Sequence, residues 1–424
     1  MTKNGGRRQE AGGRNKKNTF DPLPLNASQW SLVIFLVMLL FPRPGYGAEL
    51  EISGYFLGEA RLFANSAIHL GQEDHSVSFA AQPEFYYEWA DGSSFIFTPF
   101  YRVDSADKER THFDVRELSY LGLFEDFEIR AGVRKVFWGT TEVLHLVDII
   151  NQTDLVENVD AEEKLGQPML NFSTAQDWGT LDLFMLPYFR ERTFVGRGGR
   201  LRGPAIVDTD QVRYESAAEE WHTDWVVRYN NIFGDVDLGL YHFYGTSREP
   251  TLVAGTDSDG NKIFIPLYEQ MNQTGLDVSY VIGEWLWKTE ALYRTGQGAD
   301  DYFAWTGGFE YTFTRAFDSA MDIGVVLEGM YDGRGNDATN SFESDIALAF
   351  RFALNDAAST EALLGWVQDV GSDSRSLFLE ANRRLGDQWK LSLELRAFLS
   401  QPEPDFLFGQ RDDELLQIEL FYYF

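Results

Sequence analysis

The sequence predicts an all-β chain: a transmembrane antiparallel up-and-down β-barrel of about eighteen strands. Three observations carry this expectation. Period-two alternation recurs along most of the chain, tight and long connections alternate, and a high aromatic content (15%) accompanies a negative mean hydropathy (−0.29). Strands that are only half apolar, with Trp and Tyr gathered at two interfaces, produce that combination in a barrel. Sixteen strands is the alternative count.

The first strand covers 49–64. In the second, 76–90, Val77, Phe79, Ala81, Pro83, Phe85, Tyr87 and Trp89 alternate with a set that includes Ser78, Gln82, Glu84 and Glu88. In the third, 93–104, Phe95, Phe97, Tyr101 and Val103 face away from Thr98, Arg102 and Asp104. Strands follow over 113–123, 126–136, 170–177, 180–189, 221–231 and 234–244. Over 273–282, Leu276, Val278, Tyr280 and Ile282 oppose Asp277 and Ser279. The next three are 284–296, 302–313 and 319–331, the last setting Met321, Ile323, Val325 and Leu327 against Asp322 and Glu328. The series closes with 341–353, 359–369, 375–385, 388–399 and 414–424. In the terminal strand Leu416, Ile418, Leu420, Tyr422 and Phe424 form one apolar face, opposite Gln417 and Glu419. A soluble sandwich would alternate in the same way, so the connections decide. Every second connection is tight, for example Asp91-Gly92, Trp178-Gly179 and Gly386-Asp387, whereas 137–169, 190–220 and 245–272 are long. Short turns on one rim and long loops on the other mark an outer-membrane barrel, and sixteen to eighteen strands leave room for an aqueous channel.

The terminal strand, ending on Phe424 with Tyr422 two residues before it, resembles the segment that the barrel assembly machinery of Gram-negative outer membranes recognises. Residues 1–47 read as a secretory signal: Arg7, Arg8, Arg14, Lys16 and Lys17 precede the apolar run 31–41, and Gly45 and Gly47 are small residues placed for cleavage after 47. That run of about eleven residues is too short for a spanning helix, which needs about 20. The long basic stretch before it leaves a later start codon open. Residues 48–424 then form a single barrel.

The net charge is −30. The first 47 residues hold 7 basic and 2 acidic side chains, leaving 29 basic and 64 acidic side chains, or −35, for the remainder. That balance excludes nucleic acid as a partner. A strongly acidic lumen would favour cations, while acidic surface loops would give the same composition. The absence of cysteine removes thiol catalysis, iron–sulfur clusters and Cys-based zinc sites.

Segment 137–169 (FWGTTEVLHLVDIINQTDLVENVDAEEKLGQPM) is too apolar for a simple surface loop. It is expected to fold into the barrel and narrow it, bringing Glu142, Asp148, Asp154 and Glu157 to the lumen. The alternative is an outer cap or a protein contact patch. The next long connection concentrates Arg190, Arg192, Arg197, Arg200 and Arg202. Arginines facing those carboxylates would create a transverse field across a constriction; otherwise they bind lipopolysaccharide phosphates or pair within the loops. Inward positions of the early strands add Glu59, Arg61, Glu84, Glu88, Arg102, Arg130 and Arg134 to the lining. Asp257-Ser258-Asp259-Gly260-Asn261 departs from the EF-hand spacing and reads as a turn, and the six histidines read as isolated polar residues, so no metal or cofactor is expected.

The motifs Phe137–Glu142, Asp148–Asp154 and Leu165–Met169 resemble a poorly characterised group of porin-like outer-membrane barrels, some associated with export systems of the resistance-nodulation-division type. The resemblance implies a porin-like barrel and an export complex as a partner, and it transfers no functional residues. The expected function is a channel for small hydrophilic or amphipathic solutes, in contact with outer-membrane lipid and lipopolysaccharide. The alternatives are a plugged barrel serving surface binding or an export machine and, more remotely, a barrel hydrolase, for which no GxSxG or local Ser-His motif is present.

Overall fold

The computed structural model describes residues 49–424 apart from 299 and 404. Residues 1–47, expected to be a secretory signal, lie outside the described residues. The strands are β1 (Glu49–Phe63), β2 (His75–Glu88), β3 (Ser94–Asp104), β4 (His112–Leu123), β5 (Glu128–Arg134), β6 (Gln167–Gln176), β7 (Gly179–Leu186), β8 (Ile206–Val207), β9 (Arg213–Tyr214), β10 (Asp224–Phe233) and β11 (Val236–Thr246). They continue with β12 (Thr251–Thr256), β13 (Lys262–Tyr268), β14 (Gln270–Ile282), β15 (Trp285–Thr295), β16 (Tyr302–Phe313), β17 (Asp322–Asp332), β18 (Ser344–Ala353), β19 (Glu361–Asp369), β20 (Arg375–Leu385), β21 (Trp389–Ser400) and β22 (Leu415–Tyr423).

Eighteen of these form one closed antiparallel barrel, each pairing with the next and β22 returning to β1 through Tyr55↔Tyr423 to Phe63↔Leu415. All eighteen expected strands are present. The four others correct the reading of 190–220 and 245–272 as plain loops: β12 and β13 form a hairpin, and β8 and β9 add to β13 in parallel. The runs TLVAGT and KIFIPLY carry β-branched and aromatic residues that suit a sheet, but no turn spacing tied them to the barrel series.

Odd positions of β1 and even positions of β15 and β17 are buried inward, while Val77, Phe113, Tyr293 and Phe303 stand exposed on the outer surface. Aromatic pairs gather near the short-turn rim, such as Trp285 with Tyr311 (4.7 Å between ring centroids) and Trp389 with Tyr422 (4.9 Å). No helix among the described residues is long and apolar enough to cross a membrane. Pro99 lacks the N–H a ladder bond needs, and the β3–β4 register shifts beside it. On β4, Asp114 and Arg116 are buried, and past the bulge Ser119 takes the buried side while Leu118 and Tyr120 face out.

Candidate functional site

The segment between β5 and β6 packs against the inner faces of the barrel strands. Trp138, Val147, Ile149 and Ile150 form a buried cluster with Met169, Phe184, Val226, Tyr241, Phe243 and Met271, which are inward residues of β6, β7, β10, β11 and β14. Each such large side chain contributes roughly 1.5–3 kcal/mol on burial. A lumen face that is apolar here gives the apolar segment its partner. Arg228 of β10 stacks on Trp138 at 4.5 Å, held by Asp277 of β14 at 2.8 Å.

Two carboxylates of the opposite wall hold the segment by its backbone. Glu290 of β15, fully buried, accepts hydrogen bonds from Thr140 N (2.6 Å), Thr141 N (3.1 Å), Thr141 Oγ1 (2.8 Å) and Val147 N (3.2 Å). Glu328 of β17 accepts from Glu142 N (2.8 Å) and Val143 N (3.0 Å). Gly139, at φ 152°, permits this approach, because a Cβ there would lie 3.2 Å from the Glu290 carboxylate and 2.9 Å from His145. The base of the segment is closed by Asn151. Its amide donates to the carbonyls of Arg134 and Leu165 at 2.8 Å each and accepts from Val136 N at 2.8 Å.

Apart from Arg197, the side chains of the expected pore residues have defined partners among the described residues. Glu142 meets Arg351 (2.5 Å) and Lys288 (3.6 Å), and Asp148 meets Lys164 (3.1 Å). Asp154 meets Arg116 (2.8 Å), and Glu157 meets Arg102 (2.7 Å). Arg102 also binds Glu59 (2.9 Å), which pairs with Arg61 (3.1 Å) and Arg110 (2.7 Å). Arg190 pairs with Asp114 (2.8 Å), and Arg192 donates to Gln152 Oε1 (3.2 Å). Arg200 is buried on Asp413 (2.6 Å) and stacks on Phe63 at 4.5 Å, whereas Arg202 donates to the carbonyls of Gly203 and Arg197. The Arg197 side chain lies beside Gly71. No ion pair among the described residues joins these five arginines to the four carboxylates of the segment. The segment's carboxylates pair instead with the barrel wall and with Lys164, and Arg197, Arg200 and Arg202 tie the long-loop rim together.

Of the remaining lining residues, Glu84 accepts weakly from Thr98 Oγ1 (3.4 Å) and Glu88 accepts from the Tyr86 hydroxyl (2.8 Å). Arg130 pairs with Glu128 (3.0 Å), and Arg134 donates to Asn171 (3.4 Å). At the carboxy end, the Phe424 ring stacks on Phe56 of β1 (5.2 Å) and its N–H donates to Gly54 O (3.1 Å). His112 is not isolated. It offers, with Asp154 and Glu157, donor atoms within 4.8 Å of one another. Arg116 and Arg102 already hold those two carboxylates, placing positive charge where a metal ion would sit. Glu290, Glu328, Arg110, Asp114 and Arg116 were not among the expected site residues. Alternation marks Glu290 and Glu328 as inward, but a polar lumen holds many such residues and nothing local sets them apart.

Beside the segment lies a cavity of about 1020 Å³, bounded by the segment, the arginine-rich connection, the loops before β18 and β22, and the inner wall of β15 to β21. In it, Asp160 pairs with Arg396 (2.7 Å), while burial and repulsion from Asp160 and Glu380 push the Glu162 carboxyl up to about 7.

This architecture has solved counterparts. Pseudomonas aeruginosa OpdQ matches with a TM-score of 0.52 and 10% identity, covering 90% of this chain and 99% of that one. What OpdQ shares with this chain is the fold. The chain is also similar to OmpT, an outer membrane protein of Vibrio cholerae, with a TM-score of 0.44 and 11% identity over 89% of this chain and 99% of that one. A mutant of the Rh. blastica porin aligns with a TM-score of 0.43 and 12% identity over 89% of this chain and all of that one. No protein-family model and no curated protein matches the sequence.

Proposed function

We propose that the protein is a porin-like channel of a Gram-negative outer membrane, through which small hydrophilic or amphipathic solutes diffuse. The observation that carries the reading is the closed eighteen-strand barrel that keeps a cavity of about 1020 Å³ beside its infolded segment. Barrels of this size enclose an aqueous passage. The apolar outer surface, with aromatic side chains near the rims, suits a lipid environment, and the short-turn rim carrying the carboxy terminus then faces the periplasm.

Full-length protein inserted into planar bilayers is expected to show stable single-channel openings. Removing residues 140–149 is expected to enlarge the conductance, because the backbone donors that Glu290 and Glu328 hold, and Val147 and Ile149 of the buried cluster, go with them. Persistent absence of conductance, before and after that removal, would sink the reading. A second reading, a plugged barrel acting as a binding or export-associated component, is favoured by the interlocked rim: Arg200 joins the connection after β7 to the loop before β22, and Gln72 donates to Gly199 O (3.1 Å). A barrel that stays closed and co-purifies with envelope export proteins would favour it.

A further inference from the structure

The inner wall of β15 to β21 departs from the polar lining expected of a pore. Leu292, Tyr302, Leu363, Val367, Phe378 and Phe398 occupy its inward positions and line the cavity, and residues 143–146 of the infolded segment face them. Gly365 makes room for this lining, since a Cβ there would fall 2.1 Å from the Phe378 ring. A chamber of about 1020 Å³ whose exposed wall is mainly apolar, with charged side chains of both signs around it, has the size of a small-molecule binding site.

The charges decide which molecule. Near Phe378 and Phe398, four carboxylates (Asp160, Glu162, Glu380 and Glu394) surround one guanidinium, Arg396, which Asp160 and Glu394 already engage. Glu162 and Glu380 have no cationic partner within 4.0 Å among the described residues. The rest of the lining is richer in arginine, and Arg202 and Arg375 have no carboxylate within 4.0 Å among the described residues. Arg248 is held by Asp224 (2.7 Å), Arg334 by Asp332 (2.6 Å), and Arg294 and Arg334 share Glu249 (3.5 and 3.7 Å), which leaves Arg192 on Gln152.

We propose that this chamber binds an organic cation with an apolar body, its head group beside Glu162 and Glu380 and its body along Phe378, Phe398 and the segment's residues 143–146. The proposal rests on the channel reading above and names the class of solute the channel takes. Aromatic rings beside the carboxylates add a cation–π contribution to the charge attraction, and the apolar body gains by leaving water.

The test compares hexyltrimethylammonium, tetramethylammonium and hexanesulfonate as blockers of potassium chloride current through the full-length protein in planar bilayers. Calorimetric titration of the same three compounds into the protein in a neutral detergent runs alongside. Hexyltrimethylammonium is expected to block at concentrations about 10-fold or more below tetramethylammonium, with hexanesulfonate ineffective. The double variant Glu162→Gln, Glu380→Gln is expected to raise the blocking concentration about 10-fold. Phe378→Leu is expected to narrow the gap between the hexyl and methyl compounds and to spare tetramethylammonium. A conducting channel that hexanesulfonate blocks as well as hexyltrimethylammonium would overturn the proposal and leave the channel reading standing. A protein that never conducts but binds hexyltrimethylammonium, with binding lost in the double variant, would uphold the chamber and sink the channel reading. Absence of both conductance and binding would overturn the two together.

Discussion

Glu290 and Glu328 show how much one inward side chain can decide. A carboxylate with four donors converging on it stabilises its partners by roughly 1.5–3 kcal/mol per charge-assisted bond. It also leaves them unsatisfied when it is changed. Glu290→Gln replaces one of the two acceptor oxygens with an amide NH2, which cannot accept from Thr140 and Thr141 if it takes one position or from Val147 if it takes the other. The expected result is a segment that undocks from a barrel that still folds. Current recordings would show more frequent switching between conductance levels, and proteolysis would begin within 137–150, while the heat-modifiable barrel band on gels persists. Unchanged switching in both Glu290→Gln and Glu328→Gln would mean that the apolar cluster alone holds the segment. These two residues were hard to read in advance. Period-two alternation assigns a face to every strand residue, but it does not distinguish a carboxylate that meets water from one that meets a backbone 150 residues away.

At the scale of elements, the strands were legible almost to their ends and the loops were not. Strand β6 illustrates the first point, running Gln167–Gln176 where alternation alone suggested 170–177. The arginine-rich connection illustrates the second. Its arginines were expected opposite the acidic segment, yet Arg200 meets Asp413, 213 positions away, and Arg190 meets Asp114 on the wall. Charge complementarity was visible in the composition, whereas the choice of partner required the positions of five loops at once. Arg200→Ala leaves Asp413 buried without its cation, a loss of about 3–5 kcal/mol for a buried pair. The consequence should stay local. Hydrogen exchange is expected to rise over 64–74, 196–203 and 405–413, with the strand amides still protected. Uniform loss of protection across the barrel would show that the interlocked rim supports the sheet itself.

For the whole molecule, the sum of charges is less informative than its placement. The −35 of residues 48–424 is spread over loops, wall and lumen, and most inward carboxylates are neutralised by arginine in pairs such as Glu59 with Arg102. Glu162 is one that is not. Burial, then Asp160, Glu380 and Glu163, push it up to about 7, with Arg396 opposing them. A carboxyl raised in the folded state contributes stability that is present below its ordinary value and is lost as pH rises through about 7. Its charge follows the same titration, so lowering pH from about 8 to about 5.5 protonates Glu162 and removes negative charge from the chamber. Reversal potentials under a potassium chloride gradient are expected to shift toward lower cation preference over that interval, and Glu162→Gln should abolish most of the shift. A reversal potential that stays constant from about pH 8 to about pH 5.5 would place the selectivity elsewhere.

What the sequence determined by itself was the barrel: eighteen strands, their order, the asymmetry of the two rims and the face each side chain takes. Those properties follow from a side-chain period of two and from the length of each connection, and both are local. The tertiary structure alone decided that the apolar segment docks on an apolar stretch of inner wall and that two buried carboxylates grip its backbone. It also decided that Arg200 binds across the rim while Arg190 and Arg192 meet the wall and the segment, and that a largely apolar chamber with unpaired carboxylates remains beside them. Those outcomes depend on closing the sheet, which brings inward residues from distant strands within hydrogen-bonding distance of loops that carry no periodic signal.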